Sequence, residues 1–458
     1  MGKPVDEIRT MDSRKYVPSF TFLLLIVFVF ISLHFSFLYS SVTVEINSVA
    51  KPSENRNLSS EGSYCPEHFR WIHEDLRPWK SGGIDREVVG RSEKFADFKL
   101  IILKGKVYVE KFRDSYQTRD VFTVWGILQL LRLYPDGVPD VELLFHCGDR
   151  PDDQSLDATL PPLVFYYSKA ETESGILFPD WTFWGWAEVN VKPWESMLQS
   201  IVEANKKMKW KDREPYAYWR GNPNVNYLRP SLMQCNVSQK YDWNARLYEQ
   251  EWDKEAKQGF KNSNIADQCK HRYKIYIEGW GWSVSEKYIL ACDSMVLFMK
   301  PKFYDFFTRS LVPMHHFWPI SRAQNKCRDI KLAVDWGNNH THQAQEIGKA
   351  GSKFIQENLK MHHVYDYMFH VLNEYAKLQK FEPVIPQGAE EISVESLLKP
   401  QKGVWRKFME ESAVKSPKKQ AHCTMPPPYN SRTLKAILNR RQSTYKKVET
   451  WGEDQLIL

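Results

Sequence analysis

The stretch Tyr273-Lys-Ile-Tyr-Ile-Glu-Gly-Trp-Gly-Trp-Ser-Val-Ser-Glu-Lys-Tyr-Ile-Leu-Ala-Cys292, followed by Met295-Val-Leu-Phe298, carries the reading of the fold. An apolar run of strand-forming residues stops at Gly279, a loop follows, residues 285–291 read as a helix, and a second apolar run begins. Strand, helix and strand in succession make a crossover unit, and such units build parallel sheets covered by helices. The rhythm is also present at Tyr216-Ala-Tyr-Trp-Arg-Gly221, Val141-Glu-Leu-Leu-Phe-His-Cys147 and Leu163-Val-Phe-Tyr-Tyr167. Upstream, Leu100-Ile-Ile-Leu, a Lys-Gly turn and Val107-Tyr-Val precede a helical segment through Tyr116, Val124, Ile127, Leu128 and Leu131, which ends at Pro135-Asp-Gly. Residues 193–207 read as a helix opened by proline, and amphipathic helices are expected near 344–359 and 364–378. Two α/β domains facing one another account for this pattern, with ligand sites at the carboxyl ends of the strands.

The chain of 458 residues is 42% apolar and 26% charged, which excludes a disordered or collagen-like polymer. Its formal charge is +7, and the excess is local, since residues 399–458 hold 13 Lys/Arg against 5 Asp/Glu. Such a balance raises nucleic acid as a partner, but residues 20–38 redirect it. They form 19 apolar or uncharged positions after Lys3, Arg9, Arg14 and Lys15. That length is near the roughly 20 residues that span a hydrocarbon core, and the basic flank keeps the N-terminus cytosolic. The run exceeds the apolar region of a cleaved signal peptide, so an uncleaved type II anchor is expected.

With the bulk luminal, nucleic acid is disfavoured. The basic end is expected to meet anionic polysaccharide, an acidic protein, the membrane surface or plain solvent. Sequons at Asn57, Asn236 and Asn339 would face the lumen. Seven cysteines without a C-x-x-C argue against zinc, and an oxidising lumen would pair several of them. The terminal Asp-Gln-Leu-Ile-Leu458 is not an ER-retention signal, which points to a Golgi membrane, with the ER membrane as the alternative.

Three junctions have chemical content. Asp149, at a Gly-Asp-Arg-Pro turn just past an apolar strand, suits a general base; on position alone it reads first as a loop carboxylate that caps a turn or pairs with Arg150. Adjacent Asp152 and Asp153 make a poor glycosidase pair, because neighbours rarely converge across one bond. Arg220-Gly221-Asn222 with Arg229 suits a diphosphate, since a glycine lets backbone approach and arginine gives forked donors, although an ordinary turn with surface arginines has the same look. Gly279, Trp280, Gly281 and Ser283 lead into a helix start in which Ser283 and Glu286 have capping-box spacing and Lys287 adds charge. Seventeen tryptophans, clustered at Phe178-Pro-Asp-Trp-Thr-Phe-Trp-Gly-Trp186, offer Trp181, Phe183 and Trp184 as a sugar platform or, more commonly, as core. No D-x-D lies near these motifs, and the paired histidines lack a ligand set, so no metal is expected.

Together these stretches resemble glycosyltransferase family 90, the Rumi-like protein O-glucosyltransferases, and most closely the plant-type members. The resemblance covers roughly residues 65–380. Its carriers are Phe112-Arg-Asp-Ser-Tyr-Gln-Thr-Arg119, Leu144-Phe-His-Cys-Gly-Asp149, Phe178-Pro-Asp-Trp-Thr-Phe-Trp184, Tyr218-Trp-Arg-Gly-Asn-Pro223 and the stretch 273–292. It implies a GT-B fold and a metal-independent, inverting transfer from a UDP-sugar co-substrate, with the catalytic base on Asp149. It places diphosphate contacts on Asn222, Arg229 and the loop from Gly279 to Ser283. Animal members carry an arginine where this chain has Ser285, so Arg220 or Lys287 is expected to supply phosphate charge.

The expected plan is therefore a cytosolic tail (1–19), a transmembrane anchor (20–38) and a stem with lead-in (39–95). An N-terminal Rossmann-like domain (96–208) on the acceptor side and a C-terminal Rossmann-like domain (209–385) on the donor side follow, then an irregular basic extension (386–458). The acceptor is a glycoprotein or a polysaccharide, the donor UDP-glucose or UDP-xylose. A luminal carbohydrate-binding scaffold of the same fold is the alternative.

Overall fold

Leu103 and Lys106 are joined by only Lys104 and Gly105, both with positive φ (50° and 73°). A two-residue loop of this kind suits a tight hairpin, and it turns Phe98–Leu103 (β1) back onto Lys106–Lys111 (β2) in antiparallel register, Leu103 opposite Lys106 and Phe98 opposite Lys111. The helix Arg119–Leu133 then crosses over to Val141–Phe145 (β3), which pairs antiparallel with the other side of β1. Phe165–Tyr166 (β4) and Ile176–Leu177 (β6) extend the sheet in parallel, while Lys169–Ala170 (β5) leaves it. The computed structural model describes residues 64–152, 161–322, 325–418 and 421–454.

The second sheet contains Glu214–Gly221 (β7), Ala245–Glu249 (β8), His271–Tyr276 (β9), Met295–Met299 (β10) and Trp318–Ile320 (β12) in the order β12-β10-β9-β7-β8. Every pair in it is parallel. The helix Glu286–Ala291 bridges β9 and β10, as the stretch 273–298 predicts, and its side chains are all buried. The helices Lys326–Asn339, Thr341–Asn358 and Met361–Ala376 follow. Phe303–Tyr304 (β11) pairs antiparallel with β5 and so ties the two sheets together.

Two expectations need correcting. The first sheet is not fully Rossmann-like: β1 runs antiparallel to its neighbours because the Lys104-Gly105 turn is too short for a crossover. The segment after Pro386 is neither irregular nor a solvated tail. Glu390–Ile392 (β13) pairs with β2, so the first sheet runs β13-β2-β1-β3-β4-β6. The helix Val394–Leu398 carries a Ser393/Ser396 capping box. The helix Gly403–Ser412 buries Phe408 and Met409, and Ser412 Oγ accepts a hydrogen bond from Trp125 Nε1 at 3.0 Å. The helix Ser431–Asp454 buries Arg441, Tyr445 and Val448. Arg441 ion-pairs with Glu171 (3.1 Å) and donates to Arg309 O (2.7 Å), so its basic charge is used inside the protein.

The disulfides are Cys65–Cys423, Cys235–Cys327 and Cys269–Cys292, with Cys147 free and buried. The anchor at 20–38, the tail at 1–19, most of the stem and the Asn57 sequon lie outside the described residues. Among the described residues no helix is long and apolar enough to cross a membrane.

Cys65 and Cys423 are 358 positions apart, so their bond restricts almost the whole unfolded chain. Cys423→Ser is expected to lower stability by about 2–5 kcal/mol, read from urea unfolding of the oxidised protein. Deleting 387–458 is expected to leave the β2 edge unpaired and to abolish soluble monomer, read by size-exclusion chromatography.

Candidate active site

The carboxyl end of β3 leads into the loop 146–152, and Asp97 fixes where that loop starts. Asp97 Oδ2 accepts Cys147 N at 2.5 Å and Oδ1 accepts Arg113 Nε at 2.5 Å, while Arg113 Nη2 reaches Asp152 Oδ2 at 2.9 Å. Burial alone would raise the Asp97 pKa, but hydrogen bonding to His146, the Cys147 amide and the Arg113 charge hold it below the ordinary carboxylate value. Asp152 is thereby engaged with Arg113, and Asp153 lies outside the described residues.

On this tethered loop Asp149 is one-third exposed (33%), with Oδ1 in an ion pair with Arg119 Nη1 at 2.9 Å. Arg119 opens the helix Arg119–Leu133, donates to Cys147 O (3.0 Å) and lies over the rings of Trp181 (4.3 Å) and Tyr116 (5.1 Å). The second Asp149 oxygen has no partner among the described residues. Its position past an apolar strand is the one expected, but its partner is Arg119 and not Arg150.

Arg229 organises the ends of β7 and β9. It is buried in the short helix Leu228–Met233, with Nε donating to Glu278 O (2.8 Å) and Nη1 to Asn222 O (2.9 Å). Nη2 lies 3.4 Å from Ile277 O and from Ser283 Oγ. One guanidinium thus fastens both loops together. Asn226 repeats the link, donating from Nδ2 to the carbonyls of Glu278 (3.0 Å) and Gly279 (2.7 Å). Burial lowers the Arg229 pKa to about 10, opposed by the charges of Tyr276, Asp149 and Glu278, so it stays cationic at neutral pH. The Asp149 carboxylate is therefore within electrostatic reach of it.

Gly281 joins this assembly to Asp149. A Cβ at 281 would overlap the Asp149 carbonyl oxygen, to which Ser168 Oγ also donates at 2.7 Å. Next to it, the Arg150 guanidinium stacks on Trp280 at 4.6 Å, and Trp280 is 58% exposed. Tyr116, beside Arg119, is 67% exposed.

Several sequence candidates do other work. Trp181, Phe183 and Trp184 are fully buried, so they are core and not a platform. Burying a ring of roughly 200 Å² is worth about 5 kcal/mol, which an exposed platform would forfeit. Trp184 lies against Gly126, where a Cβ would overlap the indole, and donates to Tyr365 OH at 3.0 Å. Lys287 is buried between Asp180 Oδ2 (3.1 Å) and Thr182 Oγ1 (2.7 Å); burial works against its charge, but Asp180 outweighs that and raises its pKa. Arg220 is taken by Gln250 (2.6 Å) and Glu255 (3.3 Å). Both cations are held in ion pairs within the protein.

The capping box also does not form. Glu286 turns inward to accept from Thr308 Oγ1 (2.9 Å), and Ser283 Oγ pairs with Ser285 Oγ (2.8 Å). Gly221 is packed so closely that a Cβ would overlap Trp219. Asn236 is tied to the β8 backbone through Leu247 N (3.0 Å) and Leu247 O (2.9 Å), whereas Asn339 is exposed at a helix end. The atoms of Cys65, His370 and Cys423 come within metal-ligand spacing, but both thiols are used in the disulfide. Sequence reasoning missed Arg119, Tyr116, Arg150 and Asn226 as site residues. The first two stand in the block 112–119, which carries the family resemblance but no signal of what its side chains face.

A partly exposed carboxylate, a buried cation, a glycine loop pressed against both and exposed rings beside them thus meet at one place. Residues 60–452 match the family model for glycosyl transferase family 90, and the chain belongs to that family: it is a glycosyltransferase. It is similar to protein O-glucosyltransferase 1 of Homo sapiens, 25% identical over 368 residues covering 76% of this chain and 89% of that protein. O-glucosyltransferase rumi of Drosophila melanogaster is 24% identical over 76% of this chain and 85% of its own length. The rumi homolog of Aedes aegypti is 26% identical over 69% and 80%.

Gly281→Ala is expected to push the Asp149 backbone away and lower the transfer rate by about 100-fold, because a displacement near 1 Å costs that much in a positioned reaction. Initial rates of sugar transfer by the purified variant check it. Arg229→Lys keeps the charge but cannot serve Asn222, Glu278 and Ser283 together, and nucleotide affinity is expected to fall about tenfold, read by calorimetry.

Proposed function

We propose that the chain is an inverting, GT-B-type O-glycosyltransferase that moves a glucosyl or xylosyl unit from a UDP-sugar to a hydroxyl of a protein or polysaccharide acceptor. Glucose and a protein acceptor are favoured by the names of its relatives, which are protein O-glucosyltransferases. The observation that carries the mechanism is Asp149 standing at the end of β3 against the Gly279–Ser283 loop, with Arg229 behind that loop.

In this reading the acceptor hydroxyl gives its proton to the free oxygen of Asp149 as its own oxygen attacks the anomeric carbon. A new C–O bond forms on the face opposite the nucleotide, the bond to the diphosphate breaks, and UDP leaves with the bonding pair. Arg119 holds the carboxylate in place through its other oxygen. Arg229 supplies fixed positive charge towards the diphosphate, and such preorganised charge is worth most where charge develops. No resident metal is part of this scheme. Trp280 and Tyr116, and not the buried ring cluster, are the aromatic surfaces offered to sugar or acceptor.

Three disulfides fit an oxidising compartment, and with the apolar run at 20–38 they support a type II protein of the Golgi or ER membrane with a luminal catalytic part. Protease protection of sealed membranes tests that topology.

Asp149→Asn is expected to reduce turnover by about 10²–10⁴-fold with UDP affinity unchanged, measured as UDP release from UDP-glucose and UDP-xylose with varied acceptors. Full activity in that variant would remove Asp149 as the base. UDP binding by the unmodified protein without UDP release in any mixture would favour the carbohydrate-binding alternative. Undiminished turnover in a strong chelator is the expected result for the metal-free scheme.

A further inference from the structure

Where the chain passes from the helix Trp194–Lys207 into β7, it borders a concavity of about 540 Å³ that the transfer scheme does not use. Its charged lining is Lys206, Lys209, Lys211, Arg213 and a single carboxylate, Asp293, with the His342 ring beside them. Trp210 forms an apolar part of the wall. The volume falls within the roughly 300–1,000 Å³ of small-molecule sites.

Arg213 distinguishes this hollow from a patch of surface lysines. It is 2% exposed, and although Nη2 donates to Asn205 O at 3.3 Å, Nε and Nη1 meet no acceptor among the described residues. Buried guanidinium donors without partners are costly, and a charged acceptor is the group that relieves them. Burial lowers the Arg213 pKa, opposed by Asp293. The rim is rigid: Asn205 Nδ2 donates to Ala291 O (3.0 Å) and its Oδ1 accepts from Asp293 N (3.1 Å). On the far wall Thr341 and His342 open an 18-residue helix without a side-chain cap, which adds the positive end of a helix dipole.

We propose that this concavity is an anion site for a phosphate or sulfate monoester, with Arg213 as its buried fork and Lys206, Lys209 and Lys211 as its exposed clamp. The sequence elements involved are separate from those that carry Asp149 and Arg229, so the site stands independently of the transfer scheme. A bound anion here would bridge the connecting segment, the loop after the helix Glu286–Ala291 and the helix Thr341–Asn358.

The test uses the full chain and inorganic phosphate, compared with chloride at equal ionic strength. Amine-reactive labelling followed by mass spectrometry reads each lysine. Phosphate is expected to protect Lys206, Lys209 and Lys211 several-fold while exposed lysines such as Lys353 react unchanged, and to raise the melting temperature saturably. The triple variant Lys206→Ser, Lys209→Ser, Lys211→Ser changes only exposed positions, should fold normally, and should lose the part of the thermal response that belongs to this site. Arg213→Gln is the second variant, and its loss of response with preserved melting in chloride assigns the fork. Vesicles of phosphatidylcholine with phosphatidic acid form a parallel arm. Protection by those vesicles but not by free phosphate would assign a lipid headgroup as the source of the monoester. Equal labelling in phosphate, chloride and vesicles would overturn the proposal.

Discussion

The close approach of Gly281 to the carbonyl of Asp149 is the constraint on which the site depends. It presses a loop grown from the second sheet onto a loop grown from the first, with no room for a single added carbon. Because Arg229 fastens that second loop to the end of β7, the positions of carboxylate and cation are set together. Asp97 and Arg119 hold the other side. The junction is held by backbone contacts more than by any pairing of its charged groups.

Buried charges hold the halves in that relation. Asp75 accepts both Nη groups of Arg309 at 2.7 Å and pairs with Lys169 at 2.9 Å, and Lys287 pairs with Asp180. The Asp75–Arg309 and Asp180–Lys287 pairs each join a residue before β7 to one after it, and Lys169 adds its charge from β5, the strand that pairs with β11. Such pairs add little net stability over well-packed apolar groups, yet removing one partner costs about 3–5 kcal/mol because a charge is left alone. They specify an arrangement. The sequence makes Lys287 look like a phosphate ligand because nothing in a linear pattern shows that Asp180, 107 positions away, lies beneath it.

What periodicity can encode was legible. The strand-loop-helix-strand order at 273–298, the helix opened by Pro193 and the hairpin at Lys104-Gly105 follow from local patterns, and the structure has each of them. What depends on distant partners was not. A tryptophan-rich run reads the same whether its rings stack on sugar or fill a core; Gly126, which makes space for Trp184, is 58 positions upstream. The strand at Glu390–Ile392 is three residues long and gains its identity only from the free edge of β2. Arg119 lacked a signal of its own, since an arginine at a helix start does not announce the carboxylate it faces.

The return of residues 390–454 to the beginning of the fold has a consequence for biosynthesis. A chain made at roughly 5–20 residues per second needs roughly 15–60 s to go from β2 to β13. Throughout that time the edge of the first sheet is open, Cys65 has no Cys423 to join, and the pockets for Phe408 and Tyr445 stand empty. The nascent protein therefore cannot mature domain by domain in order of synthesis. Its earliest part stays incomplete until its latest part arrives, so the edge of β2 and the thiol of Cys65 are the places where a stalled or truncated chain would be exposed.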